Sequence, residues 1–292
     1  MKVRFGFALG GGSQLPIEDY GHVIDALDRN GFDSVWLPET FLTGSFDPLV
    51  ALGYAAARVR RLKLGTHLIA PGRNVVRMAR ELAQLDRLSG GRLLLTFVLG
   101  LDDPAERAAQ GMVSGDRGAW FDEHLPTLRT LWAGGTTAEG FSLVSLPMQQ
   151  PLEIWMGGKA TRALERAGRL SDGWLAGAVT IAEAVTGKTV VDRAAAEAGR
   201  AISPEHFGVN LTYSLDEPDP AVLAALAARR RPGVDTSEIV AVGVPALRTL
   251  AGRWVDAGFS KFTVRPMVLP SSPAAWDDEL GRLGTGILDL TT

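Results

Sequence analysis

The chain has 292 residues, 46% of them hydrophobic, which suits one large core or two smaller ones. Its 30 basic and 33 acidic residues leave a net charge of −3, which argues against nucleic acid or an anionic membrane as partner. With no cysteine, disulfides, thiolate nucleophiles and Cys-ligated metals are excluded.

The opening stretch MKVRFGFALGGGSQLP lacks the long apolar region and small-residue cleavage site of a secretory signal. No window approaches the roughly 18 apolar residues of a membrane span. We therefore expect a soluble, cytoplasmic protein.

Val3 to Leu9 reads as a first strand, and Ile17 to Asn30 as the helix after it. Ser34 to Leu37 is the second strand. Asp47 before Pro48 is an N-cap followed by proline at the first helical position, opening the helix PLVALGYAAARVRR. Leu62 to Leu68 is the third strand. Asn74 caps VVRMARELAQLDRL, which stops at Ser89-Gly90-Gly91. Leu93 to Leu99 is the fourth strand, apolar on both faces as strands covered on both sides are. Asp103-Pro104 repeats the capping device, with Glu106 three residues after the cap.

A helix over Trp120 to Trp132 and an irregular stretch from Gly134 to Pro151 precede the fifth strand, Leu152 to Met156. Thr161 to Leu170 is helical, Gly173 to Ala176 is the sixth strand and Phe207 to Tyr213 the seventh. A helix over Leu247 to Ala257, an eighth strand over Lys261 to Arg265 and a last helix from about Ala274 to Leu283 complete the pattern. Eight strand–helix units in this length predict a single (β/α)8 TIM barrel over 1–292, with an insertion before strand five. A doubly wound sheet with a second domain is the rival, but no linker or composition shift marks a boundary.

Two motifs fail. Gly10-Gly11-Gly12 follows the first strand, but the dinucleotide fingerprint G-x-G-x-x-G would end on Leu15. The segment Ala182 to Thr189 fits a loose phosphate-loop pattern, yet Ala182, Glu183, Ala184 and Val185 favour helix and Glu183 repels phosphate. Of the four histidines none has a second at metal-ligand spacing, so no metal site is expected. His22 and His124 fall in helices and His206 precedes a strand. His67 alone ends a strand on what would be the catalytic face of a barrel, and a packed core histidine is the bland alternative.

Other candidates follow strand ends. Glu39 comes after strand two and can serve as a proton donor or acceptor; a solvated or ion-paired carboxylate is the alternative. Asp102 and Asp103 follow strand four, where Asp103 is explained as a cap and Asp102 is freer. The loop Gly157-Gly158-Lys159-Ala160-Thr161 leaves strand five and opens a helix. Its glycines allow close backbone approach, the helix start offers free N–H groups, and Lys159 and Thr161 add donors. It reads as a phosphate cradle; a tight turn without ligand is the alternative.

Several stretches resemble the luciferase-like flavin monooxygenases. Leu85-Asp86-Arg87-Leu88-Ser89-Gly90-Gly91-Arg92 is similar to the segment before their fourth strand. Met156-Gly157-Gly158, Arg162-Ala163-Leu164-Glu165-Arg166-Ala167 and Ser171-Asp172-Gly173-Trp174 resemble their strand-five to strand-six region. Asn30-Gly31-Phe32-Asp33-Ser34-Val35-Trp36 and Ala257-Gly258-Phe259 to Arg265-Pro266 resemble their second unit and final strand.

The resemblance implies a barrel binding FMN or the deazaflavin coenzyme F420, with the phosphate at Gly157, Gly158, Lys159 and Thr161. It also implies a bulge in strand three within Thr66 to Ile69, with Thr66 and His67 supporting the ring. Glu39 and Asp102 are then the candidate catalytic carboxylates. The expected activity is hydride transfer with F420 on a small organic substrate; an FMN monooxygenase, a non-catalytic flavin-binding protein and a barrel enzyme for a phosphorylated substrate stay open. Members of the family are commonly homodimers, and the Trp120 to Trp132 helix is a candidate contact; a buried core face explains its apolar residues equally well.

Two departures stand out. Glu39-Thr40 lacks the histidine common after strand two in F420 users. Val98-Leu99-Gly100 lacks one glycine of the usual pair, which would bring a larger side chain near the ring.

Overall fold

In a computed structural model, residues 1–10, 15–112, 115–230 and 234–292 are described. The chain begins β1 (Arg4–Ala8), α1 (Ile17–Arg29), β2 (Ser34–Pro38), α2 (Pro48–Arg58), β3 (Lys63–Ile69), α3 (Val75–Ser89) and β4 (Leu93–Val98). It continues with α4 (Pro104–Ala109), α5 (Arg117–Trp132), β5 (Ile154–Gly157), α6 (Thr161–Leu170), β6 (Gly173–Ala176), α7 (Ile181–Glu197) and β7 (Phe207–Ser214). The last elements are α8 (Pro220–Arg230), β8 (Val240–Val242), α9 (Val244–Asp256), β9 (Lys261–Pro266) and α10 (Pro273–Ile287).

Strands β1 to β7 pair in parallel with their sequence neighbours, and β9 pairs with both β7 and β1, closing an eight-stranded barrel. The fold is thus the (β/α)8 TIM barrel. The strand not foreseen is β8, whose three residues extend the β7 edge beyond β6: β6 takes Phe207 to Val209 of β7, and β8 takes Thr212 to Ser214.

Outward side chains such as Phe7, Val35, Leu64, Leu95, Ile154 and Val209 merge with the apolar helix faces in one buried core. Inside the barrel, Ala8, Trp36 and Leu175 pack with Leu94 and Trp155 as a separate cluster. Burial on both faces leaves β4 largely apolar throughout, whereas β7 and β9 alternate and turn Asn210, Thr212, Thr263 and Arg265 to the interior.

The helix ends follow the sequence signals. Asp47 accepts from the Leu49 and Val50 amides at 2.9 and 3.0 Å, and Asn74 accepts from the Arg77 amide at 3.0 Å. Gly90 ends α3 in the left-handed region with φ 72°. Ala182 to Thr189 lies inside α7, behind a Thr180–Glu183 capping box, so it forms no phosphate loop. On α5, Phe121, Leu125, Leu128 and Leu131 are buried within this chain, so that apolar face belongs to the core.

The stretch from Gly134 to Pro151 forms one isolated bridge, Thr136 to Ser142, and no longer element. Its Gln149 side-chain amide donates to Asp86 Oδ1 at 2.7 Å and to the Leu93 carbonyl at 2.8 Å. These contacts hold the insertion at the amino-terminal end of β4, away from the carboxyl ends of the strands.

Candidate active site

Parallel registers stagger the inward-facing residues into layers of four from alternate strands. Gly6, Gly65, Trp155 and Gly208 form a low layer. Trp36, Thr96, Leu175 and Thr263 lie above it, then Ala8, His67, Gly157 and Asn210, and near the carboxyl ends Pro38, Val98, Gly177 and Arg265. His67 and Gly157 therefore share one layer beneath the mouth, on strands β3 and β5.

The His67 ring stacks on Trp36 with centroids 5.3 Å apart. Its Nε2 is buried without a hydrogen-bond partner, and so is Thr96 Oγ1, the neighbour of His67 in register. Burial drives the His67 pKa from 6.5 to about 4, so the imidazole is neutral near pH 7. Thr66 is buried with the opposite parity, among the outward-facing residues Leu64 and Leu68, and does not face the mouth. The expected bulge is not formed: β3 keeps an unbroken register with β4 from Leu64 to Ile69, which preserves the in–out alternation.

Glu39 extends β2 by donating its amide to the His67 carbonyl at 2.9 Å. Its side chain is only 5% exposed. Oε1 pairs with Arg73 at 2.5 Å and Oε2 accepts from the Ile69 amide at 2.8 Å. Arg73 also donates to the Ile69 carbonyl at 2.9 Å, so the pair laces together the ends of β2 and β3. Burial raises the Glu39 pKa above the usual carboxylate value, opposed by Arg73 and the Ile69 amide. Asp102 is different: its side chain is 83% exposed and is bridged by Arg107 at 3.3 Å and Arg117 at 3.1 Å.

The turn after β4 also differs from expectation. Leu99 packs against the outer core, while Val98 faces the mouth. Gly100 has φ 78°, and a Cβ there would lie 2.3 Å from Gln110 Nε2 and 2.9 Å from Glu106 Oε1. The buried Glu106 accepts from the Leu101 amide at 2.7 Å, and both polar atoms of the Gln110 side chain are buried without partners.

At β5, Gly157 runs close to Val98: a Cβ would stand 3.0 Å from Val98 Cγ1. Gly158 has φ 118°, and its Cβ would stand 3.0 Å from that of Ala163. Its carbonyl accepts from Trp174 Nε1 at 2.9 Å, which fixes the turn. Helix α6 then starts behind Ala160, which has no side-chain acceptor; α1 and α9 also start without one, whereas α2, α3, α4, α5, α7 and α10 each carry a side-chain cap. Lys159 and Thr161 are exposed beside this start, and Lys159 Nζ donates to the Ala178 carbonyl at 3.5 Å. Ala178 holds a positive φ of 55°, a strained turn at the same rim.

Motif reading missed Arg73, Asn210 and Arg265 near the mouth, Thr96 two layers below it and Gln110 behind the turn after β4. Arg265 reaches Thr212 Oγ1 at 3.4 Å, and among the described residues no carboxylate pairs with it. Gly11 and Gly12 lie outside the described residues. Among the described residues no group of three or more His, Asp or Glu is placed to hold a metal, and no helix is long and apolar enough to cross a membrane.

A parallel barrel with Glu39, His67 and the glycine turn after β5 at the carboxyl ends of its strands, joined there by Asn210 of β7 and Arg265 of β9, defines the class. The luciferase-like monooxygenase family matches residues 3–260, and the chain belongs to that family. A 5,10-methylenetetrahydromethanopterin reductase of Methanolobus tindarius is 28% identical over 167 residues, 55% of this chain and 50% of its own. A Mycobacterium tuberculosis protein, provisionally named a coenzyme F420-dependent oxidoreductase, is 27% identical over 201 residues, 59% of this chain and 55% of its own. The chain spans about half the length of the curated relatives it matches.

Two solved structures share the fold over essentially their whole length. An F420-dependent secondary alcohol dehydrogenase in complex with an F420–acetone adduct has TM-score 0.80 and 18% identity, covering 100% of both chains. The oxygenating constituent of 3,6-diketocamphane monooxygenase from Pseudomonas putida, in complex with FMN, has TM-score 0.76 and 13% identity, covering 100% of this chain and 99% of its own.

Proposed function

We propose that the chain is an oxidoreductase that binds coenzyme F420 at the barrel mouth and transfers hydride to or from a small organic substrate. The start of α6 carries the reading. An uncapped helix N-terminus, a glycine pair in which a Cβ would crowd the neighbours, and Lys159 meet at the carboxyl end of a barrel strand. A phosphate seated there caps α6 in place of a side chain. The unpartnered His67 Nε2 and Thr96 Oγ1 below, and Arg265 above, fit a polar ring lying over the mouth.

When bound, the deazaflavin supplies a carbon that accepts or releases hydride. In this reading Gly157, Gly158, Lys159 and Thr161 hold the phosphate and His67 supports the ring from beneath. Thr66, facing outward, stiffens the wall. Glu39 is the acid–base group: burial tunes its carboxyl upward, and its pair with Arg73 must loosen for Oε1 to exchange a proton. Asp102, open to solvent and shared by two arginines, takes a rim role. Phe41, Leu42, Leu101 and Val268 are exposed on the loops beyond β2, β4 and β9, which favours an apolar substrate. A cytoplasmic homodimer acting as one unit over 1–292 completes the proposal.

The F420-dependent relative and neighbour support the choice of deazaflavin. A second reading, an FMN-dependent monooxygenase, draws on the family's description and the FMN-bound neighbour. Gly158→Ala tests the cradle on which both depend. We expect the cofactor dissociation constant to rise about tenfold or more, because the variant strains a positive-φ turn under the phosphate. Unchanged affinity in a folded variant would remove the cradle.

A further inference from the structure

We propose that the amino-terminal end of the barrel holds a second binding site, for a small aromatic carboxylate, opposite the mouth. A cavity of about 280 Å³ opens there, whereas the pocket beside Pro38 at the mouth is about 20 Å³. The inner layers of such a barrel are ordinarily filled by side chains. Here Gly6, Gly65, Gly173 and Gly208 leave the lower layers to two indoles. A Cβ on Gly65 would stand 2.2 Å from the Trp36 ring, and one on Gly173 would stand 2.4 Å from the Trp155 ring. The indoles do not close the space. Leu94 and Trp155 face inward yet stay half-buried and line the cavity, so apolar surface inside the barrel meets solvent from this end.

The rim carries an excess of cations. Arg4, Lys63, Arg92 and Lys261 line it against the carboxylates Asp33 and Glu153. Asp33 is shared by Arg4 at 3.5 Å and Lys63 at 3.3 Å, and Glu153 faces His206 Nε2 at 3.7 Å. Arg92 donates to the backbone carbonyls of Leu62 and Ala56. Lys261 Nζ donates to the Lys2 carbonyl at 2.6 Å and to Ser260 Oγ at 3.3 Å, with Glu205, at 3.8 Å, and Asp33 as carboxylate neighbours. A flat apolar body against Trp155 and Leu94, with a negative end at Lys261, matches both halves of this lining. The volume suits one or two fused rings. Gln149, from the insertion before β5, borders the same cavity.

The site rests on none of the residues assigned to the cofactor, so it stands or falls separately. The probes are 2-naphthoate and its neutral analogue 2-naphthalenemethanol, followed by ligand-observed NMR on the full chain. We expect saturable binding of naphthoate and about tenfold weaker binding of the alcohol. Lys261→Met should bring the acid down to the level of the alcohol. Leu94→Phe, which fills part of the cavity, should weaken both probes, while F420 and FMN should displace neither. Absence of naphthoate binding, equal affinity in Lys261→Met, or displacement by the cofactor overturns the proposal. Should Leu94→Phe fail to fold, the charge variant still decides it.

Discussion

At His67 the barrel withdraws an imidazole from water and leaves its Nε2 without a partner. Between pH 6.5 and about 4 the unfolded chain therefore binds a proton at this residue that the folded chain does not, so stability falls as the pH drops through that window. The full shift amounts to at most about 3 kcal/mol. His67→Phe should flatten this dependence, seen as urea midpoints that change less than wild type between pH 7 and 4; an identical slope would contradict the burial argument. Glu39→Gln should lower turnover about a hundredfold or more while cofactor affinity stays within a few fold. Loss of cofactor affinity instead would make the Glu39–Arg73 pair structural. His67, Glu39 and the glycine pair were legible because each sits next to a strand end in sequence. Arg73, Thr96 and Gln110 were not. Arg73 meets Glu39 across 34 positions, and Thr96 gains its meaning only from its register with His67.

Helix α6 is the element on which the functional reading turns. Several helices of this chain use Asp or Asn caps, as at Asp47, Asn74 and Asp116; α6, like α1 and α9, has no side-chain cap, and of these three it alone follows the glycine pair after β5. Ala160→Asp should stabilise the cofactor-free protein by about 1 kcal/mol through a new cap and at the same time weaken cofactor binding by repelling the phosphate. A stabilised variant with unaltered affinity would mean that no anion uses this helix end. Seven barrel strands and β9 were legible because two-sided burial makes short apolar runs stand out between capped helices. β8 escaped because three residues carry no periodicity. The direction of Leu99 escaped because it depends on the unbroken alternation through Phe97 and Val98, and the expected bulge in β3 came from resemblance, which local pairing overrode.

On the scale of the whole molecule, the two ends of the barrel differ in kind. The carboxyl end gathers the glycine cradle, an uncapped helix and unpartnered polar atoms; the amino end keeps an open, cation-rimmed cavity. A ligand that binds only the folded state adds about 2.7 kcal/mol at a hundredfold excess over its dissociation constant, so saturating cofactor should raise the melting temperature by several degrees. The most direct test of the mouth assignment is paired titration of the cofactor-free protein with coenzyme F420 and with FMN, followed by tryptophan quenching. Saturable, one-to-one binding of F420, markedly tighter than FMN, is the predicted result. Tight binding of FMN alone would contradict the hydride-transfer reading, and binding of neither would contradict the cofactor site itself.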